Sequence, residues 1–217
     1  MARGTNFGGV HSHYDLNLIQ QKVEVDPAEP KLNMIEIPGA DGAVDMTERP
    51  AGRVTYKTRK ITWTFALYPG ENWDAKHRQV SNALNGKRCN ITLDSDPEYY
   101  YQGRVSVNKH NVDGQLRQIV VVAICQPYKL RQLPTKATLA LTTAYKTVRL
   151  LNDRKAIIPT ITLTAAGTLR WKGGTIALNA GTHKVLDIEL TEGENLLEAM
   201  VTSGTGTLTV EYQEGSL

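Results

Sequence analysis

The residues of this chain whose types and spacing would allow chemistry are few and scattered. Asp94-Ser95-Asp96-Pro97-Glu98 sets carboxylates at alternate positions, like the opening of a calcium loop. The glycine at the sixth position and the distal Glu that complete such a loop are missing, so the segment reads as a solvated turn ahead of a strand. His11 and His13 are spaced to face one side of a strand, where two imidazoles can begin a metal site. No Cys or further His accompanies them nearby, and a pair alone is too few ligands. Cys89 and Cys125 each lie in an apolar strand-like run, the setting of a small buried hydrophobe rather than a nucleophile. His77 stands four residues after Trp73 on a helical pattern, where packing is the ordinary role, and His110 and His183 stand alone. Lys172-Gly173-Gly174-Thr175 lacks the upstream glycine of a phosphate cradle, and no GxSxG, HExxH or GxGxxG occurs. The expectation is no catalytic residue, no cofactor and no metal. Tyr99-Tyr100-Tyr101 is the densest aromatic patch. In a strand alternate tyrosines point to opposite faces, so at most two share a surface and one packs inward.

Bulk properties point the same way. The chain has 217 residues with 25 basic and 22 acidic side chains, a net charge of +3, so no domain-wide basic field calls for nucleic acid even at a pI near 8.8. Two cysteines without disulfide-rich spacing suit a reducing compartment. Met1-Ala2-Arg3-Gly4-Thr5 opens without an apolar core segment and no long apolar run follows, so neither a signal peptide nor a membrane span is expected.

The elements that would carry these residues are mostly strands. Ile61-Thr62-Trp63-Thr64-Phe65-Ala66-Leu67 puts its large apolar residues at every second position. Pro69-Gly70 breaks the chain, and Asn72 caps a helix whose apolar stripe is Trp73, Val80 and Leu84, with Gly86 as the stop. Strands from Cys89 to Leu93, Tyr99 to Lys109 and Leu116 to Gln126 follow. The last two are joined by Asn111-Val112-Asp113-Gly114, and Asp-Gly between alternating runs is a hairpin cue. Ile119 to Cys125 is apolar on both faces and is expected at the centre of a sandwich or under the helix. Pro38 fixes φ and Gly39 and Gly42 can take positive φ, which makes Ile37 to Thr47 a turn device. Pro127 ends the strand before it. Beyond Leu130 a polar connector leads into short strands punctuated by Gly, Asn and Asp, from Thr147-Leu151 to Thr207-Tyr212. This is the pattern of a compact sandwich or jelly roll, and it places a domain boundary between residues 1–130 and 131–217.

Pro38-Gly39-Ala40-Asp41-Gly42, Arg53-Val54-Thr55-Tyr56 paired with the strand reaching Phe65, the helix from Trp73 to Leu84 and Pro127-Tyr128 occur here in the order and spacing of the distal tail proteins (Dit) of long non-contractile phage tails, which this chain resembles. Ile158-Pro159-Thr160-Ile161 and Glu192-Gly193-Glu194-Asn195-Leu196 resemble that family's C-terminal sandwich, so the likeness covers nearly the whole chain. The resemblance implies a mainly β fold. Its first part is a ring-forming sandwich-like domain with one helix and a long hairpin, and its second is a galectin- or carbohydrate-module-like sandwich or jelly roll. It further implies a homohexameric ring at the distal end of the tail, between the tail tube protein and the tail-associated hub or lysin protein. Receptor-binding or other tail-tip proteins would be further neighbours. DNA would pass through without specific binding, no membrane would be involved, and the protein would reside in the virion after assembly in the host cytoplasm.

A cyclic ring needs two different patches that meet across each boundary, and edge strands or projecting hairpins suit that task. The expected interface elements are the loop carrying Pro38, Gly39, Asp41, Gly42 and Arg53, and the hairpin carrying Tyr99, Tyr101, Asn111, Asp113 and Gly114. The alternative from another class is a carbohydrate-binding sandwich module used in host attachment, with Trp171 and Tyr145 exposed as a sugar platform.

Overall fold

The computed structural model describes residues 4–108 and 118–217. The chain divides into two compact units, one running to Lys129 and the other spanning Leu130–Ser216.

In the first unit, β1 (Thr5–Phe7), β2 (Val10–His11), β3 (Leu18–Val25), β4 (Met34–Glu36), β5 (Ala43–Asp45) and β6 (Arg59–Leu67) precede helix α1 (Trp73–Leu84). β7 (Arg88–Leu93), β8 (Tyr99–Val107) and β9 (Gln118–Cys125) follow it. One antiparallel sheet runs in the order β2-β1-β7-β8-β9-β6-β3. The alternation read along β6 holds, with Ile61, Trp63 and Phe65 fully buried and Phe7 set edge-on against Trp63. β8 and β9 pair as the expected hairpin, from Gly103 opposite Cys125 to Val107 opposite Val121. The turn residues Asn111, Asp113 and Gly114 lie outside the described residues.

α1 begins where Asn72 Oδ1 accepts the Ala75 amide at 3.0 Å, and it stops at Asn85 and Gly86, the latter at φ +78°. That positive φ ends the helix without the penalty a Cβ would bring. Val80 and Leu84 bury the stripe against the sheet, and Trp73 packs half-buried beside them.

Two expectations for this unit are corrected. Arg53 to Tyr56 does not pair with the strand reaching Phe65; β6 is flanked by β3 and β9, while Thr55 and Tyr56 pair with Lys31 and Pro30. β9 is buried on its inner face through Ile119, Val121, Ala123 and Cys125, but its outer face leaves Ile124 exposed. On that face Val122 is nevertheless buried and Val120 half-buried, so the outer side of β9 is covered in part and only Ile124 stands open.

The short strand β10 (Lys129–Arg131) spans the join. The second unit then builds β11 (Thr135–Leu141), β12 (Lys146–Asn152), β13 (Thr160–Leu163), β14 (Gly167–Trp171), β15 (Gly174–Leu178), β16 (Gly181–Lys184), β17 (Gly193–Val201), β18 (Gly206–Tyr212) and β19 (Gly215–Ser216). Two four-stranded antiparallel sheets, β11-β18-β13-β16 and β12-β17-β14-β15, enclose one core that includes Leu150, Ile161, Leu169, Leu197, Leu208 and Val210. The central strands alternate inward apolar and outward residues, as a sandwich requires, with Leu151 and Leu196 as exposed apolar exceptions on the outer face.

Candidate functional site

Most of the described residues with chemical potential are taken up by structure, and His110 lies outside the described residues. β2 ends at His11, and His13 falls in the turn after it, so the two imidazoles do not share a strand face as expected. Instead His11 Nδ1 accepts the amides of His13 and Tyr14 at 3.1 and 3.3 Å, which leaves Nε2 to meet Asp94 at 3.2 Å. Asp94 also accepts the Gly4 amide at 2.7 Å. The acidic turn thus pins the N-terminal strands to the sheet, and no group of three metal-ligating side chains exists among the described residues. Asp96 takes the Lys129 ammonium at 2.8 Å, and that hydrogen bond pushes the Lys129 pKa up.

Cys89 and Cys125 are free thiols that flank Gly103 across three neighbouring strands. Burial raises both, Cys125 to about 12; a thiol so disfavoured as thiolate is no nucleophile. The tyrosine triplet divides as alternation demands: Tyr101 enters the core, and Tyr99 is half-buried beneath the Lys129 ammonium, 4.5 Å from its ring centroid. What Tyr101 offers a neighbour is therefore backbone alone.

The sugar platform does not form. Trp171 is buried in the core of the second unit, and Tyr145 is covered by the Arg170 guanidinium at 3.7 Å. The glycan expectation for these two aromatics is corrected: Trp171 sits on the inward parity of β14 with Leu169.

What stands out is an arm. Its root is a short ladder: the Lys31 amide donates to the Thr55 carbonyl, the Lys57 amide to the Glu29 carbonyl, each at 2.8 Å, and Pro30 bridges Tyr56. Beyond it β4 and β5 pair only with each other, Met34 opposite Asp45 and Glu36 opposite Ala43. The tip reverses where the Ala40 amide donates to the Ile37 carbonyl, with Gly39 at φ +82° and Gly42 at +78°. This is the turn read from Pro38-Gly39. Thr47 closes the second strand: its Oγ1 accepts the Asn33 amide, and its hydroxyl and then its amide favour the charged Asp45 carboxylate, which lowers the Asp45 pKa.

Every residue from Lys31 to Asp45 is exposed, including Leu32, Met34, Ile35, Ile37 and Val44. Apolar side chains lie on both faces of this two-stranded sheet. Such a hairpin is marginal alone, and exposed apolar residues gathered on one projecting element mark an interaction surface. Pro38, Gly39, Asp41 and Gly42 form its tip, and Arg53 lies exposed near its root. The loop expected over Gly39 to Arg53 is thus the distal half of a longer device that starts near Pro30. Its apolar members went unread, although the run Leu32 to Ile37 before a Pro-Gly turn and Val44 after it was a hairpin signal.

Together, a helix-backed antiparallel sheet bearing a bare arm, and a second unit that is a β-sandwich, define a mainly β fold of two units. The chain matches the crystal structure of the SPP1 Dit (gp 19.1) protein, described as a paradigm of the hub adsorption apparatus in phages that infect Gram-positive bacteria, with a TM-score of 0.64 and 16% identity. The match covers 98% of this chain and 99% of that one. No family model matches the sequence, and no curated protein matches it. The fold expected from the resemblance is the fold observed.

Proposed function

We propose that this protein is a structural component of a phage tail tip, a homohexameric ring at the distal end of the tail that joins the tail tube protein to the tail-associated hub or lysin protein. The observation that carries this reading is the arm: five exposed apolar side chains on a two-stranded sheet that its own chain leaves bare, in a chain with the Dit fold along its length. A cyclic ring closes through a heterologous contact, in which one patch of each copy meets a different patch of the next. The arm supplies a projecting patch, and the open outer face and edges of the main sheet supply receiving ones. The role is structural and not enzymatic. Other tail-tip proteins, receptor-binding ones included, dock on the ring in the virion, and DNA passes through it without specific contacts.

The test is the solution mass by light scattering with negative-stain imaging. Six chains of 24.0 kDa give a particle of roughly 144 kDa with six-fold rings. A particle of another order would overturn the proposal, and rings that persist when residues 31–46 are replaced by a short glycine-serine link would remove the arm from the ring contact.

A further inference from the structure

The inward row of β6 reads Arg59, Ile61, Trp63, Phe65. The first of these is a cation on the apolar parity of the strand. Arg59 is only 5% exposed, opposite the buried Cys125 in the sheet register. Its guanidinium lies 5.6 Å from the centroid of the Tyr101 ring, and its Nε is buried with no hydrogen-bond partner. Among the described residues it has no ion pair or hydrogen bond from its side chain. Of the carboxylates in the turn before β8, Asp94 is committed to Gly4 and His11 and Asp96 to Lys129, and exposed Glu98 makes no ion pair with Arg59. A face-on tyrosine offsets only a small part of the cost of desolvating a cation. Burying a charge without a hydrogen-bonded counter-ion is among the most expensive things a fold can do.

The arm presents the complementary excess. Glu36, Asp41 and Glu48 are exposed on it and have no ion-pair partner among the described residues. Within one chain they and Arg59 make no contact. Resting on the ring reading above, we propose that Arg59 is a seat for a carboxylate brought by a second copy of this chain, from the acidic residues of its arm. The planar guanidinium presents a fork that matches a carboxylate in two parallel hydrogen bonds. A fixed cation beside an aromatic floor gives the neighbour's arm a single register, where its apolar residues alone would allow sliding.

The test uses the full chain. The concentration at half-assembly is measured by light scattering for wild type, for Arg59→Met and for the triple variant Glu36→Gln, Asp41→Asn, Glu48→Gln. Thermal melting is recorded at a dilution where each is monomeric. Arg59→Met is expected to melt no lower than wild type, because an uncompensated buried charge has been removed, while its half-assembly concentration rises about thirtyfold or more. The triple variant, altered only at exposed positions, is expected to show a similar rise that adds little to that of Arg59→Met. A lower melting temperature with unchanged assembly would assign Arg59 a structural role and overturn the seat. A triple variant that assembles like wild type would overturn the occupant even if Arg59→Met failed to fold. Inorganic phosphate or acetate that stabilises the wild-type monomer and not Arg59→Met would show a seat for free anions, which also overturns the second-copy assignment. Rings that form equally well in every variant leave the tail-tip reading standing and sink this one alone, whereas a wild type that never assembles removes both.

Discussion

The first unit carries two hairpins built on opposite terms. β8 and β9 turn one face into the core, where Tyr101, Val105, Ile119, Val121 and Cys125 are buried, and the strands on either side complete their ladders. Among the described residues, β4 and β5 have no flanking strand, and every residue of the two strands is exposed. Both contain aliphatic residues that favour strands. The difference is where the apolar surface goes: in β8–β9 it stabilises the monomer, and in β4–β5 it is left to whatever the protein meets. An exposed apolar hairpin is an aggregation hazard unless something covers it, which is why the arm carries the assembly proposal.

That contrast makes opposite demands on substitutions, and the largest effect belongs to the core side. Trp63 is fully buried against Phe7, so Trp63→Ala should destabilise the first unit by about 3–5 kcal/mol in urea or guanidinium unfolding. Next comes the packing of β8 on β9. A Cβ at Gly103 would meet Cys125 Sγ at 2.4 Å and the Ile124 carbonyl oxygen at 2.8 Å. Gly103→Ala should therefore cost about 1–3 kcal/mol through overpacking. A Gly103→Ala protein with unchanged unfolding would mean that the hairpin is not clamped as described.

Much of the buried side of this contrast was legible in the residues. The two-residue alternation of β6 and the cap at Asn72 are local signals, and the structure realises both. The hairpin strands of β8 and β9 also followed from their own patterns. What failed was non-local. Arg53 to Tyr56 has strand-forming residues, but it pairs with Glu29 to Lys31 at the arm root, a choice that depends on chain segments no short pattern connects. The apolar doubling of β9 implied two covered faces, and among the described residues the second is covered only in part, Val122 being buried and Ile124 exposed, because a sequence records apolar surface without recording how far it will be buried. The same ambiguity hid Leu32, Ile35 and Val44, whose pattern is that of any buried hairpin. Arg59 went unread, because the alternation was followed only from Ile61, and its place on the buried parity of β6 shows only in the fold.

A smaller effect tests the helix that backs the core. Asn72 Oδ1 satisfies the Ala75 amide at the start of α1, and Asn72→Ala should cost about 1 kcal/mol, read as a lower midpoint with an unchanged denaturant slope. Neither Asn72 nor Gly103 belongs to the arm. Both variants should assemble normally wherever they are folded, which separates stability from association.

The smallest expected effect on stability is also the most discriminating. Changing Leu32, Met34, Ile35, Ile37 and Val44 together to Thr keeps strand propensity while removing apolar surface from side chains already exposed. Because the folded monomer already leaves 45–66% of each of these residues in water, and Thr keeps part of what is covered, little transfer free energy is lost. The unfolding free energy should stay within about 0.5 kcal/mol of wild type. Assembly should nevertheless be abolished in the light-scattering experiment, since the surface removed is the one the second copy would bury. A loss of more than about 1 kcal/mol in the monomer would show that the arm packs on its own chain. The two hairpins would then be built on the same terms after all, and their contrast would no longer support a ring.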